Sequence, residues 1–252
     1  MGAPGLTPAP RVRLMRPFAR TPMPAARPHI EPRRVPTADS VVVKELYLSL
    51  QGESSHAGML CGFIRLTGCH LRCSYCDSEF AFHGGSRMKN ADVVTQVLAW
   101  NTPTVEVTGG EPLLQPGVYP LMESLLDAGL KVLLETSGAI DVRLVPPAVH
   151  KIVDMKTPSS GECDRNDYRN LTSMNANDEL KIVIGSREDY EWSRALVREH
   201  KLGQKPYGVL FSTIFDRLHP RELAEWIIED RLPVRFQLQM HKYLWDPNAR
   251  GV

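Results

Sequence analysis

At 252 residues, 42% of them hydrophobic and 23% charged, the chain is long enough to bury a substantial core and is composed like an ordinary globular protein. Thirty Lys and Arg against 29 Asp and Glu leave a formal charge of +1, which gives no global pull toward nucleic acid or an anionic membrane surface. No run of about 18 apolar residues exists to span a bilayer. The five cysteines are an odd number with no signal-peptide core before them, which points to reduced thiols in a cytoplasm rather than a disulfide scaffold.

Residues 1–40 are rich in Pro, Ala and Arg, with only Glu31 and Asp39 as acids and no apolar periodicity. Such a segment cannot bury enough surface to offset its chain entropy, and it is predicted to be a disordered extension. An Arg-rich, acid-poor start also suits an organelle transit peptide, but this density of Pro breaks the amphipathic helix such a peptide needs. One folded domain is expected over 41–252. VVVKELYLSL (41–50) and CGFIRLTG (61–68) read as strands, ADVVTQVLAW (91–100) as a helix, TVEVTGG as a strand and VYPLMESLLDAG (118–129) as a helix ending on Gly129. KVLLETSG, HKIVDMK and ELKIVIG follow as strands, then a helix over 188–200, the strand YGVLFST, the helix PRELAEWIIED and a last strand, PVRFQLQM. Short apolar strands alternating with amphipathic helices predict an α/β fold on a mainly parallel sheet.

Nearly every predicted strand runs into a polar or glycine-rich cluster. FIRLTG enters a cysteine loop, VEV enters TGGEP, VLLE enters TSG, KIVDM enters KTPSSGE, VLF enters STIFD and FQLQM enters HKYLW. In a parallel sheet or barrel the strand C-termini share one rim, and active sites are built there. Loops are polar everywhere, but that does not account for three cysteines in one of these clusters and Gly-Gly-Glu in another.

Cys69, Cys73 and Cys76 are spaced C-x3-C-x2-C. Three thiolates can hold three irons of a cubane [4Fe–4S] cluster and leave the fourth with an open position. The competing reading is zinc, bound by these three with His70, His83, Cys61 or Cys163 as the fourth ligand. Cys61 sits within a predicted strand, where a small buried hydrophobe is the simpler role. Tyr75, immediately before Cys76, favours the cluster.

With that aromatic in place, the loop resembles the C-x3-C-x-aromatic-C motif of the radical S-adenosylmethionine superfamily. GGEP, Gly109 to Pro112 of TGGEP, resembles the family's second motif. The resemblance implies that S-adenosylmethionine chelates the open iron and yields a 5′-deoxyadenosyl radical. Glycines would let the backbone approach the ligand, and Glu111 would accept from the methionine ammonium.

LYLSLQGES, CDS, ETSG, DMKTPSSGE with DELKIVI, and FQLQMHKYLWDPNARGV together resemble the 7-carboxy-7-deazaguanine synthases of that superfamily, over roughly residues 41–252. This resemblance implies a partial (β/α) TIM-like barrel, a homodimer, a Mg²⁺ ion and a flavodoxin or ferredoxin as electron donor. It implies ring contraction of 6-carboxy-5,6,7,8-tetrahydropterin with loss of ammonia and regeneration of S-adenosylmethionine. Carried over by position, it assigns Leu50, Gln51, Gly52, Glu53, Arg65, Thr108 and His241 to the substrate. It assigns Ser78 to Mg²⁺, and Tyr75, Gly110, Glu111, Ser137, Lys156 and Ser212 to S-adenosylmethionine. A salt bridge for Arg65, a turn cap for Glu53 and a structural role for His241 are the plainer alternatives. Phe63, Leu71, Tyr75 and Phe80 are expected as an apolar shell around the cluster. A glycyl-radical-enzyme activase shares the first two motifs, but LQGE and HKYLW argue against it. A zinc-stabilised binding domain is the non-catalytic alternative.

Overall fold

The computed structural model describes residues 38–252, so the extension expected over residues 1–40 lies outside the described residues except for its last three. β1 (Ser40–Leu50) lies antiparallel to both β2 (Leu60–Leu66) and β3 (Ser86–Lys89). From β2 the sheet continues in parallel through β4 (Thr104–Gly109), β5 (Lys131–Thr136), β6 (His150–Met155), β7 (Glu179–Ile184), β8 (Gly208–Thr213) and β9 (Arg235–Phe236). The order is β3-β1-β2-β4-β5-β6-β7-β8-β9, so the sheet stays open between β3 and β9.

Parallel neighbours need crossovers, and α1 (Asn90–Leu98), α2 (Val118–Asp127), α4 (Arg187–Glu199) and α5 (Pro220–Asp230) supply four of them. In α2 the buried Val118, Leu121, Met122 and Leu125 follow i, i+3, i+4, i+7. That helix ends just before Gly129, whose φ of +82° suits a residue without Cβ. In α4 the Ser186 hydroxyl accepts from the Asp189 N–H at 3.2 Å, and Glu188 and Asp189 favour the helix N-terminus. Between β6 and β7 the link includes α3 (Asn170–Ser173), only one turn long. No helix among the described residues is long and apolar enough to cross a membrane.

Strand alternation separates two environments. Ile64, Leu66, Val105, Val107, Val132, Leu134, Val153, Met155, Leu180 and Ile182 join the buried core with Val93, Val97, Leu121, Leu125 and Tyr190 of the helices. The residues between them, Phe63, Arg65, Glu106, Thr108, Glu135, Asp154 and Lys181, face a cavity instead. One face of the sheet thus makes the core and the other makes a polar chamber.

Three elements depart from expectation. The strand predicted over PVRFQLQM pairs only at Arg235 and Phe236, because Gln237 and Gln239 turn their side chains to the β1–β2 loop. Ser86–Lys89 forms β3 on the sheet edge, although its polar sequence carries no strand alternation. HKYLW opens a one-turn helix, α6 (His241–Leu244), anchored by the Met240 N–H to the Gly52 carbonyl at 2.8 Å.

Candidate active site

The chamber has a volume of about 840 Å³ and is bordered by the C-terminal ends of the parallel strands. It brings together Leu50, Gln51, Gly52, Glu53, Arg65, Cys69, Cys73, Tyr75, Cys76, Ser78, Thr108, Gly110, Ser137, Lys156 and His241, which lie apart in sequence. Phe63, Leu71 and Phe80 border it as well. Glu111 and Ser212 do not line it.

The cysteine loop leaves β2 and is tied down on both sides. The Gly68 N–H donates to the Ala81 carbonyl at 2.9 Å, the Ser74 N–H to the Ser160 carbonyl at 2.9 Å, and the Arg72 N–H to Glu162 at 2.6 Å. The Leu71 N–H points at the Cys69 sulfur, 3.4 Å away. Burial pushes all three thiols up, Cys73 to about 11, while the Lys156 ammonium pulls the other way. A bound metal would displace those protons, since it is the thiolate that ligates. Three sulfurs on one chamber wall, beside an ammonium, are the donor set that would ligate three irons of a [4Fe–4S] cluster.

They do not fit one zinc. Among the described residues no group of three or more His, Cys, Asp or Glu closes around a single ion. The proposed fourth ligands are also elsewhere. Cys61 is fully buried within β2, and Cys163, His70 and His83 are off the chamber wall.

The glycines of TGGEP allow a close approach of backbone to backbone. A Cβ on Gly109, at φ +155°, would lie 2.3 Å from the Leu66 carbonyl oxygen. One on Gly110 would lie 2.4 Å from the Gly68 oxygen and 2.7 Å from the Cys69 Cβ. The missing side chains let the end of β4 press against the cysteine loop, a contact closed by the Glu111 N–H to the Gly68 carbonyl at 2.8 Å. Gly110→Ala is therefore expected to shift the loop, costing about 1–3 kcal/mol and lowering retained iron. Melting and iron content of the reconstituted variant check this, and wild-type values for both would contradict it.

Glu111, expected to accept from the methionine ammonium, stands behind the chamber wall. It is fully buried, and its carboxylate accepts from the Leu113 N–H at 3.0 Å, the Thr136 hydroxyl at 2.9 Å, the Ser137 N–H at 2.8 Å and the Ser137 hydroxyl. Four protein donors occupy it, so its effect on the chamber runs through Ser137. Ser212 is likewise buried behind the wall, and its hydroxyl has no hydrogen-bond partner.

The chamber floor holds a charge network: pairing of Asp154 with Lys156 or Lys181 was legible in the sequence, but the parts of Glu106 and Glu135 were not. Lys181 pairs with Glu53 at 2.7 Å, with Glu135, and with Asp154 at 3.6 Å; Asp154 also meets Lys156 at 3.1 Å. Burial works against the charge of Glu53, but Lys181 and His241, with the Gln239 amide at 2.9 Å, hold its carboxyl below the usual range. Glu106 forms no ion pair of its own, though the Lys181 charge acts on it. Burial and the neighbouring Glu135 charge push it up to about 8, against the pull of the Gln51 amide. The available signal was a charged residue inside an otherwise apolar strand, VEV for Glu106 and LKIV for Lys181.

Arg65 is both an ion-pair partner and a wall residue. Its Nε donates to Glu45 at 2.8 Å and its Nη2 to the Tyr47 hydroxyl at 2.9 Å, while Tyr47 stacks on Phe63 at 4.9 Å. His241 packs on Gly52, where a Cβ would come within 2.2 Å of the ring Nδ1. Burial shifts this imidazole toward its neutral form, against the charges of Glu53 and Asp77. Ser78 donates to Asp77 at 3.0 Å, and Lys242 pairs with Asp77 at 2.9 Å. Burial opposes the Asp77 charge, but Lys242 and Ser78 outweigh it and hold the carboxyl down at about 2. Residues 246–252 line the same chamber, with Arg250 stacked over Phe80 at 4.3 Å.

Comparison with known proteins agrees with this geometry. The Radical SAM superfamily model matches residues 63–227. A 7-carboxy-7-deazaguanine synthase of Chlorobaculum tepidum is 47% identical over 213 residues, covering 83% of this chain and 96% of its own. One of Koribacter versatilis is 45% identical over 224 residues, covering 83% and 99%. The crystal structure of QueE from Escherichia coli shares the fold with a TM-score of 0.67 at 24% identity, covering 80% of this chain and 95% of that one.

Proposed function

The chain belongs to the radical SAM superfamily and within it to the 7-carboxy-7-deazaguanine synthases, and from that membership we propose that it converts 6-carboxy-5,6,7,8-tetrahydropterin to 7-carboxy-7-deazaguanine with release of ammonia. It is then a carbon–nitrogen lyase of 7-deazapurine (queuosine) biosynthesis. The observation that carries the reading is that three cysteines, an arginine and the Gln51–Glu53 segment border one chamber of about 840 Å³. When bound, a [4Fe–4S] cluster and S-adenosylmethionine supply the radical that takes hydrogen from the substrate. Cys69, Cys73 and Cys76 would hold three irons and leave the fourth for the methionine group.

Tyr75, Gly110, Ser137 and Lys156 border the space beside the cysteines, which supports assigning them to S-adenosylmethionine. Glu111 supports the same subsite by fixing the Ser137 backbone and hydroxyl. Ser212 joins this assignment through its unpartnered hydroxyl. Leu50, Gln51, Gly52 and Glu53 offer the pterin an amide, backbone groups and a carboxylate. Glu45 and Tyr47 hold the Arg65 guanidinium plane, which leaves Nη1 for the substrate carboxylate. Thr108 and a neutral His241 complete that side.

The reading further includes Mg²⁺ at Ser78, whose hydroxyl oxygen stands two residues past Cys76 and suits a hard cation that keeps several waters. A homodimer, a flavodoxin or ferredoxin donor and a cytoplasmic location rest on the family resemblance.

The test is to incubate reduced, reconstituted protein with carboxytetrahydropterin, Mg²⁺ and S-adenosylmethionine. Deazapurine is expected, with S-adenosylmethionine conserved over many turnovers. No deazapurine, together with net consumption of S-adenosylmethionine, overturns the reading.

A further inference from the structure

We infer that Glu106 is a positioning residue of this chamber: its carboxyl anchors the Gln51 carboxamide, whose facing is set at its other end by the Glu53 N–H, and so holds in place the hydrogen-bond pattern the floor offers to a pterin. The inference rests on the proposed function and adds a residue that neither the motifs nor the resemblance singled out.

The geometry begins with β4, where Val105 and Val107 enter the core and Glu106, between them, is turned to the chamber. Glu106 is 3% exposed and Gln51 is 3% exposed, so neither exchanges its partner freely for water. The Gln51 Nε2 donates to a Glu106 carboxyl oxygen, while the Gln51 Oε1 accepts from the Glu53 N–H at 3.0 Å. A glutamine amide has two orientations that differ only in where its donors and acceptor lie. Here both ends are fixed. Flipping the amide would aim its NH₂ at the Glu53 N–H and lose that bond, so the Glu53 end sets the orientation while Glu106 anchors the other end. The pterin edge carries donors and acceptors in a set order, so a flipped Gln51 presents it with the wrong pattern.

The surrounding charges explain why an acid occupies this place. Glu135 lies on the neighbouring strand and is paired with Lys181, as is Glu53. Of these carboxyls, Glu106 is the one that forms no ion pair, in line with its upward shift through burial and the Glu135 charge. A neutral acid accepts from Gln51 through its carbonyl oxygen and retains a hydroxyl donor. Glutamine reproduces both functions without charge, and leucine reproduces only the shape.

The test uses the reconstituted holoenzyme and fluorescence titration with 6-carboxypterin, the oxidised and unreactive analogue of the substrate. Glu106→Leu is expected to weaken binding about tenfold, the size of one buried hydrogen bond and its partner left unmet. Its KM for the tetrahydropterin should rise more than its kcat falls, with iron content at the wild-type level. Glu106→Gln is expected to recover most of the affinity. Wild-type affinity in the leucine variant overturns the inference, as does a glutamine variant no better than leucine. If leucine prevents folding, the glutamine variant decides, against Glu106→Asp, which keeps the acid but cannot reach Gln51. Equal affinities in that pair overturn the inference. A wild-type protein that binds no 6-carboxypterin and forms no deazapurine refutes the proposed function instead, and this inference with it.

Discussion

Replacing Cys76 with alanine is expected to give a folded chain that reconstitutes without a stable cluster and shows no turnover above background, while Cys163→Ala keeps both. The three loop thiols share one chamber wall, and no other described cysteine is on it. A cubane deprived of one corner has no replacement ligand in reach, since Cys61 is sealed inside β2 and Cys163 lies on the turn Cys163–Arg165 away from the wall. Wild-type protein should bind about four irons per chain and be brown; the alanine variant should be nearly colourless. The loop is held mainly by backbone bonds, at Gly68, Ser74 and Cys76, so the substitution should leave melting of the unloaded chain little changed. Iron loss in Cys163→Ala would revive a fourth-ligand role for that residue and undo the assignment.

The second large effect is expected at Lys181. Its side chain is 4% exposed and is the shared counter-ion of Glu53, Glu135 and Asp154. Lys181→Met keeps the length but takes the ammonium from Glu53 and Glu135, while Asp154 keeps Lys156, and breaking a buried pair costs on the order of 3–5 kcal/mol. For a chain of this size that corresponds to a melting temperature lower by about 10 °C or more. The sign with pH follows from protonation. In the wild type Glu53 is held below its ordinary value, so its contribution is present above the ordinary carboxyl pKa and lost as pH falls through the depressed one. In the variant the same carboxyls are pushed up by burial and mutual repulsion. They take protons as pH falls, and the deficit narrows. Melting curves of both proteins at about pH 8 and about pH 6 check this, and a deficit that grows on acidification contradicts it.

These two residues also mark what was legible in the sequence. The cysteine spacing is local, and so was readable; so were the strands, whose apolar runs are long enough to fix their type. Lys181 and Glu106 were harder because a charged residue in a short apolar strand does not announce which face it takes. Only the alternation across neighbouring strands decides that, with Val105 and Val107 in the core and Glu106 opposite. Glu111 was legible as a motif member but its protein partners were not, because the donors Thr136 and Ser137 lie 25 and 26 residues away. The last strand was overextended for a similar reason. Gln237 and Gln239 alternate like strand residues, yet their partners, Ser54 and Glu53, are supplied by a loop some 180 residues earlier.

That loop has a consequence for how the molecule assembles. Residues 51–56 are stitched to Glu106 in β4, to Glu179 and Lys181 in β7, to His150 in β6 and to Gln237 and Gln239 beyond β9. The hydrogen bonds span sequence separations of 55 to 186 residues, so loop-closure entropy sets them among the latest contacts to form. From Gly68 to Cys76 the cysteine loop is hydrogen-bonded to nothing further along the chain than Glu162. On a ribosome, where the N-terminal part emerges first, the partners of the three cysteines' own segment are available while the half that recognises substrate still waits for the C-terminal segment.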